Sequence, residues 1–234
     1  MDLKQLRQHL DSRLDSLVAA ERQLAEARVR SLASVFPFNE YEYLLMFLLD
    51  RGAISFTEYE KLREDYVSTN RYLDLFELAP RIFGQIWGEQ HLMDLEPRFR
   101  KGDKSLDPEF EGQYDLWLDG VRVEVKAARA INTKKRGGLV SKALRYESPD
   151  PFWMNFQQLK LDTCDVFVFI GVWVNRIKYW VLSCAEVRES KFLSHQHRGG
   201  VEYQIGITER NIREFERFSV EPTEIGRRIL EKRG

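Results

Sequence analysis

The chain has 234 residues, 43% of them hydrophobic, which is enough to bury a sizeable core, and its 15 Phe, 9 Tyr and 5 Trp exclude a disordered polymer. Two cysteines exclude a disulfide scaffold and a cysteine-ligated zinc ribbon, and four histidines leave little material for a histidine-ligated metal. With 36 basic and 37 acidic residues the net charge is −1, so any surface for nucleic acid must be local.

The opening segment, Met1-Asp2-Leu3-Lys4-Gln5-Leu6-Arg7, is too charged for a signal peptide. The longest apolar runs, 43–49 and 166–174, fall far short of the ~20 residues of a membrane span. The expectation is a cytoplasmic protein without membrane contact. Leu3, Leu10, Leu17 and Leu24 recur at a seven-residue interval, with Leu6, Leu14 and Ala20 beside them. This predicts one long helix, ended by Pro37. Its apolar face either packs on its own domain or forms a coiled-coil dimer seam, with Arg13 occupying one seam position. Further helices are expected over 39–49 and 56–66, and over 81–92, where Pro80 suits a first helical turn and Ile82, Phe83, Ile86 and Trp87 recur. His91 is expected on the polar side of that last helix.

From about residue 110 the period changes. Residues 113–118 and 121–126 alternate polar and apolar around Asp119-Gly120, a strong hairpin signal. Residues 129–148 are polar and basic and read as loop or short helix, and 152–161 as a helix. Residues 165–173 are apolar throughout, as in a strand buried on both faces. Asn175-Arg176 turns the chain into a return strand over 177–182. A short helix, a His/Gly loop at 195–200, a strand at 201–207 and one or two charged helices follow. Cys164 and Cys184 flank buried strands and read as small core residues. Strands flanked by helices give an α/β core with a helical N-terminal part.

A two-residue turn at Asp119-Gly120 fixes the register, placing Leu118 opposite Val121, Trp117 opposite Arg122, Leu116 opposite Val123 and Asp115 opposite Glu124. Leu116, Leu118, Val121, Val123 and Val125 share one face; Asp115, Trp117, Arg122, Glu124 and Lys126 share the other. Like charges directly opposed are destabilising. A divalent cation would resolve the repulsion. Two carboxylates plus a backbone carbonyl, that of Val125, suit Mg²⁺, which keeps waters and takes substrate phosphate oxygens. Lys126 beside such a site can orient or deprotonate a water, or neutralise transition-state charge. The competing reading is an amphipathic hairpin with a solvated polar face, in which Arg122 pairs with Glu124.

Asp115, the following gap, and Glu124-Val125-Lys126 on adjacent strands resemble the PD-(D/E)XK nuclease superfamily, with Tyr114 standing where that superfamily usually has proline. The resemblance spans roughly residues 80–182. It implies a restriction-endonuclease-like core, a central mixed sheet flanked by helices, over 79–234. Residues 1–78 would then serve dimerisation or clamp DNA. By the same resemblance, Glu89 on the preceding helix is a further catalytic and metal-binding candidate, or else a surface residue. Gln157 and Lys160, on a helix after the Glu-x-Lys strand, either touch the scissile phosphate or face solvent.

Between Val121 and Tyr146 there are eight basic residues, including Arg129, Lys134, Lys135, Arg136, Lys142 and Arg145, against the single acid Glu124. Such a run suits phosphate contacts. Gln196 and Arg198 either read base edges or belong to an unremarkable loop. The function implied is an Mg²⁺-dependent endonuclease of double-stranded DNA, a type II restriction enzyme working as a homodimer, because cutting both strands of a palindrome needs two sites. Mn²⁺ would substitute, Ca²⁺ would support binding alone, and no organic cofactor is implied. The alternatives are a nicking or junction-resolving repair or recombination nuclease, a catalytically silent DNA-binding module, and a helical interaction protein.

Overall fold

The computed structural model describes residues 3–31, 40–197 and 201–233. Its N-terminal part is helical: α1 (Leu3–Leu14), α2 (Ala19–Ser31), α3 (Glu40–Asp50) and α4 (Phe56–Thr69). The expected single long helix is broken at 15–18, where the Ser16 hydroxyl donates to the Arg13 carbonyl at 2.6 Å. The leucine stripe therefore splits. Leu6, Leu10 and Leu14 are buried against the same cluster as Leu44, Leu45 and Leu48, whereas Leu24 is exposed. The apolar face of α1 is thus covered from within the chain. Arg13 is tolerated beside it because its guanidinium donates to Glu58 of α4 at 2.6 Å. Pro37 lies outside the described residues.

A 3₁₀ turn (Leu73–Phe76) leads to a helical run starting at Pro80, in which Ile82–Trp87 is π-helical and α5 (Gly88–Leu95) continues it. The π stretch alters which side chains face inward. Of the apolar residues that recur there, Phe83 is buried while Ile82 and Ile86 are exposed. His91 is not on a polar side: it stacks between Trp87 and Tyr179 and shares a 2.6 Å hydrogen bond with the Tyr179 hydroxyl.

The remaining elements are β1 (Arg100–Lys101), β2 (Leu116–Leu118), β3 (Val121–Arg129), β4 (Ile131–Asn132), α6 (Leu139–Lys142), β5 (Phe152–Leu159), β6 (Val166–Val172), β7 (Ile177–Ser183), α7 (Cys184–Arg188), β8 (Leu193–His197), β9 (Val201–Thr208), α8 (Ile212–Phe215), β10 (Ser219–Val220) and α9 (Ile225–Glu231). They form a mixed six-stranded sheet, β1-β2-β3-β6-β7-β10, and an antiparallel four-stranded sheet, β4-β5-β9-β8. Among the described residues only β3 and β6 pair in parallel. The chain is of the α/β class. Among the described residues no helix is long and apolar enough to cross a membrane.

β6 explains the layering. Val166, Val168, Ile170 and Val172 face the helices, and Phe167 and Phe169 face the second sheet, where Phe156 stacks on Phe169 with ring centroids 4.5 Å apart. Cys164 and Cys184 are buried on that second side, as small core residues. Gly171 gives room there: a Cβ would lie 2.6 Å from the Trp180 ring and 3.1 Å from Met154 Sδ. Gly171→Ala is therefore expected to cost roughly 1–3 kcal/mol by overpacking, read as a lower urea midpoint at unchanged slope.

Two expectations are corrected. Residues 152–159 form strand β5, not a helix. Phe152, Met154 and Phe156 point inward in alternation, and a bulge between Gln157 and Leu159 then shifts the register. Residues 195–197 are likewise the end of strand β8, paired antiparallel with β9, rather than a loop.

Candidate functional site

The hairpin holds the sequence-derived register: Leu116 pairs with Val123, Trp117 with Arg122 and Leu118 with Val121. Asp119 and Gly120 both adopt positive φ, at 47° and 92°, as the tight turns that match strand twist require. At Asp115 the ladder ends in a different way. Its backbone N–H donates to the Val123 carbonyl at 3.1 Å, and its carboxylate accepts from the Val125 N–H at 2.8 Å.

Beyond Val123, among the described residues, no strand pairs the β2-side edge of β3. A cleft of about 660 Å³ opens along that edge. Residues 124–129 of β3 line it together with Pro80 to Glu89 from one side and Trp153 to Lys160 of β5 and its following turn from the other; Asp115 contributes too. Asp115, Glu124, Val125, Lys126, Glu89, Arg129, Gln157 and Lys160, all selected from the sequence, thus share one cleft.

Glu124 is the least solvated acid in it, at 1% exposure. Oε1 accepts from Lys126 Nζ at 2.6 Å, and Oε2 is buried without a hydrogen-bond partner. Burial pushes the Glu124 pKa up, with Asp115 adding to the rise, against the lowering pull of Lys126 and Lys160. Arg122 does not neutralise it, since its guanidinium binds Asp107 at 2.8 Å and reaches Glu109 at 3.5 Å. The solvated-hairpin reading therefore loses its proposed ion pair.

Glu89 is 9% exposed and held by Lys101 of β1. Burial also raises its pKa, and Asp115 contributes to the rise. Gly88 lets the helix approach closely, as a Cβ there would lie 3.4 Å from Ala127 Cβ. Among the described residues no group of three or more His, Cys, Asp or Glu forms a ready-made metal cluster. The orphaned Glu124 Oε2, the Asp115 carboxylate and the Val125 carbonyl nevertheless fit Mg²⁺, a cation that completes its shell with waters and substrate oxygens.

The remaining basic candidates divide. Lys134, Lys135 and Arg136 are exposed on the loop after β4, whose backbone is held by Asn132 Oδ1 accepting from the N–H groups of Lys134 and Lys135. Arg129 is not a solvated cation. It is 7% exposed, its guanidinium lies 3.9 Å from the Phe83 ring centroid and donates to the Leu78 carbonyl, and its Nε has no partner. Burial lowers its pKa to about 10. Lys142 is half-buried in α6, outside the cleft lining. Arg145, also half-buried, donates to the Thr69 carbonyl at 3.3 Å. Gln157 and Lys160 reach the cleft from a strand and its following turn rather than from a helix. Arg198 lies outside the described residues, and Gln196 is placed only as part of β8.

Sequence reasoning places Lys101 only as a possible neighbour of a surface Glu89, which the Lys101–Glu89 ion pair bears out, and it misses Trp153, Asn155 and Gln158. Gln158 sits at the bulge with φ 57°, a strained left-handed conformation for a non-glycine residue. The alternation of Phe152, Met154 and Phe156 was the available signal for Trp153 and Asn155. No protein-family model, curated protein or solved structure matches the chain.

Proposed function

We propose that the chain is a divalent-metal-dependent endonuclease that hydrolyses phosphodiester bonds of double-stranded DNA through a restriction-endonuclease-like core. The observation that carries this reading is the buried Glu124 carboxylate, one oxygen bound to Lys126 and the other unsatisfied, in the same open cleft as the Asp115 carboxylate, which the neighbouring Val125 N–H holds. A buried anion with an orphaned oxygen is costly, and its retention calls for a cationic ligand.

Asp115, Glu124 and the Val125 carbonyl would hold Mg²⁺, with Glu89 beside them; Mn²⁺ would substitute and Ca²⁺ would support binding without turnover. When bound, the metal supplies an activated water at neutral pH and charge stabilisation at the phosphorus. Lys126 orients that water or offsets the charge that develops on the phosphate oxygens. The Asp115 carboxylate is aimed by the Val125 N–H. Lys160 supports the negative charge of Glu124 and faces the same cleft. Cleavage of both strands at a site-specific palindrome would require a homodimer, and the type II restriction role is proposed on that basis. A nicking, structure-directed nuclease is the second reading, favoured by the exposed indole of Trp153 in the cleft wall.

Incubation of the protein with phage DNA and Mg²⁺, followed by sequencing of fragment ends, tests the reading. Discrete ends bearing a common sequence support site-specific cleavage. Intact DNA with Mg²⁺ and with Mn²⁺ would sink the nuclease assignment.

The basic loop gives a separate prediction. Replacing Lys134, Lys135 and Arg136 together by alanine should weaken binding to cognate and unrelated duplexes alike. Each lost phosphate contact should reduce the slope of log K against log salt by roughly 0.9. Binding isotherms at two salt concentrations read both quantities, and an unchanged slope would place the loop away from DNA.

A further inference from the structure

Among the described residues Trp153 is the one tryptophan classed as exposed, at 40%, whereas Trp173 and Trp180 are buried and Trp87 and Trp117 half-buried. It lies on the face of β5 that lines the cleft, with Asn155 and Gln157 following at two-residue intervals on the same face. The indole lies across Gly206 of β9, where an added Cβ would sit 2.4 Å from ring atom Cη2. A glycine in the interior of a strand weakens it and marks a close approach. Here the approaching group is the indole. Gly206 seats one side of the ring, and the exposed surface remains toward the cleft.

The neighbours of this ring set the chemistry of what it receives. Asn155 Nδ2 donates to Gln204 Oε1 at 3.0 Å, while Asn155 Oδ1 has no partner. Trp153 pairs with Ile131 of β4, and the exposed cations Lys134, Lys135 and Arg136 follow β4 directly. Lys160 stands at the far end of the same wall. A flat aromatic face, amides in series and flanking cations suit an anionic polymer with flat, hydrogen-bonding units. A lipid or an apolar peptide would leave the amides and cations without partners. Base-on-aromatic stacking has no sequence requirement, because every base offers a π face. A base inside an intact duplex has both faces covered by its neighbours, so it cannot stack on Trp153. A cleft of about 660 Å³ is in the range of small-ligand sites, a scale suited to a displaced nucleotide rather than a whole duplex.

We propose that Trp153 is the stacking platform for a single nucleobase turned out of the helix beside the scissile phosphate, which makes DNA with an unpaired or displaced nucleotide at the cut the preferred substrate class. The proposal rests on the nuclease reading for the words "scissile phosphate", but the platform itself is a binding property and is tested without turnover.

The experiment measures anisotropy of two labelled duplexes, one fully paired and one with a central unpaired nucleotide, in EDTA, with the full-length protein and the variants Trp153→Ala, Trp153→Phe and Gly206→Ala. Thermal melts of each variant establish that it is folded. The parent should bind the unpaired duplex on the order of 10-fold more tightly than the paired one. Trp153→Ala should lose that preference, and Trp153→Phe should retain most of it. Gly206→Ala, which keeps the indole but unseats it, should fall between the two. Equal binding of both duplexes by the parent, or an unchanged preference in Trp153→Ala, would overturn the platform. Cleavage of the same duplexes with Mg²⁺ is scored separately. A Trp153-dependent preference without cleavage would leave the platform standing and remove the nuclease, and cleavage without that preference would do the reverse.

Discussion

Glu124→Gln is expected to abolish cleavage while raising the melting temperature of the metal-free protein. The glutamine keeps the shape and the acceptor for Lys126 but removes a charge that burial and Asp115 both oppose. Removing a buried charge that desolvation opposes is stabilising, and the gain is offset in part because Lys126, 19% exposed, loses its anionic partner, leaving a net gain of about 1 kcal/mol. That corresponds to roughly 2–4 °C per kcal/mol for a chain of this size. The pH dependence follows from the direction of the shift. The folded state binds the Glu124 proton more tightly than the unfolded state does. The parent therefore loses stability as pH rises from the ordinary carboxylate range through the raised value, and the variant lacks this loss. The gap between the two should be widest at neutral pH with chelator present and should close on acidification. Mg²⁺ at neutral pH should stabilise the parent and leave the variant unmoved. Melting curves across pH, with and without Mg²⁺, read all of this. A variant that cuts DNA at the parent rate would end the assignment of Glu124.

Lys126→Ala should reduce cleavage on the order of 10²–10⁴-fold, yet leave DNA affinity nearly intact. The side chain is largely enclosed, at 19% exposure, and its charge is committed to Glu124 at 2.6 Å, so it adds little to the general attraction for phosphates. Its value lies where charge develops during the reaction. Removing it also strands Glu124, so the variant should melt below the parent, opposite in sign to Glu124→Gln. A fall in affinity as large as the fall in rate would make Lys126 an ordinary phosphate contact. Single-turnover kinetics beside equilibrium binding in Ca²⁺ separate the two.

What the sequence made legible has local physical causes. Asp119-Gly120 forces a tight turn, so the pairing of Leu116 with Val123 is settled within a dozen residues; the expected pairing of Asp115 with Glu124 is not part of the ladder, because the Asp115 carboxylate takes the Val125 N–H, and the two acids share the cleft instead. Residues 166–172 announce a two-sided burial because both alternating sets are apolar. Residues 152–159 mislead for an equally definite reason. The extra residue at the bulge turns a period of two into the spacing Phe152, Phe156, Leu159, which is the spacing of a helix face. The leucine stripe near the N-terminus misleads because a helix break costs the sequence pattern nothing. Arg129 is recognisable as basic and reads as a phosphate contact; extending the alternation of Val121, Val123 and Val125 would have placed it on the helix-packed side, where it is buried. Lys101 is legible only as a nearby cation for Glu89, since a two-residue strand carries no period that would place it in the cleft wall.

The parallel pairing of β3 with β6 also bears on the order in which the molecule is assembled. The β2–β3 hairpin closes over a two-residue turn and can form on the microsecond scale. β3 reaches Val166 of β6 only after the intervening β4, α6 and β5 have been gathered, and long loop closures of this kind are slow. In a hairpin formed first, Asp115 and Glu124 would still be solvated, and their repulsion would be weak. Desolvation of Glu124 is deferred until Phe167 docks beside it and Phe156 closes on Phe169. The topology therefore predicts that the electrostatic cost of the site falls on the late closure of β3 on β6, so that one pair of strands carries both a slow folding step and the acids of the cleft.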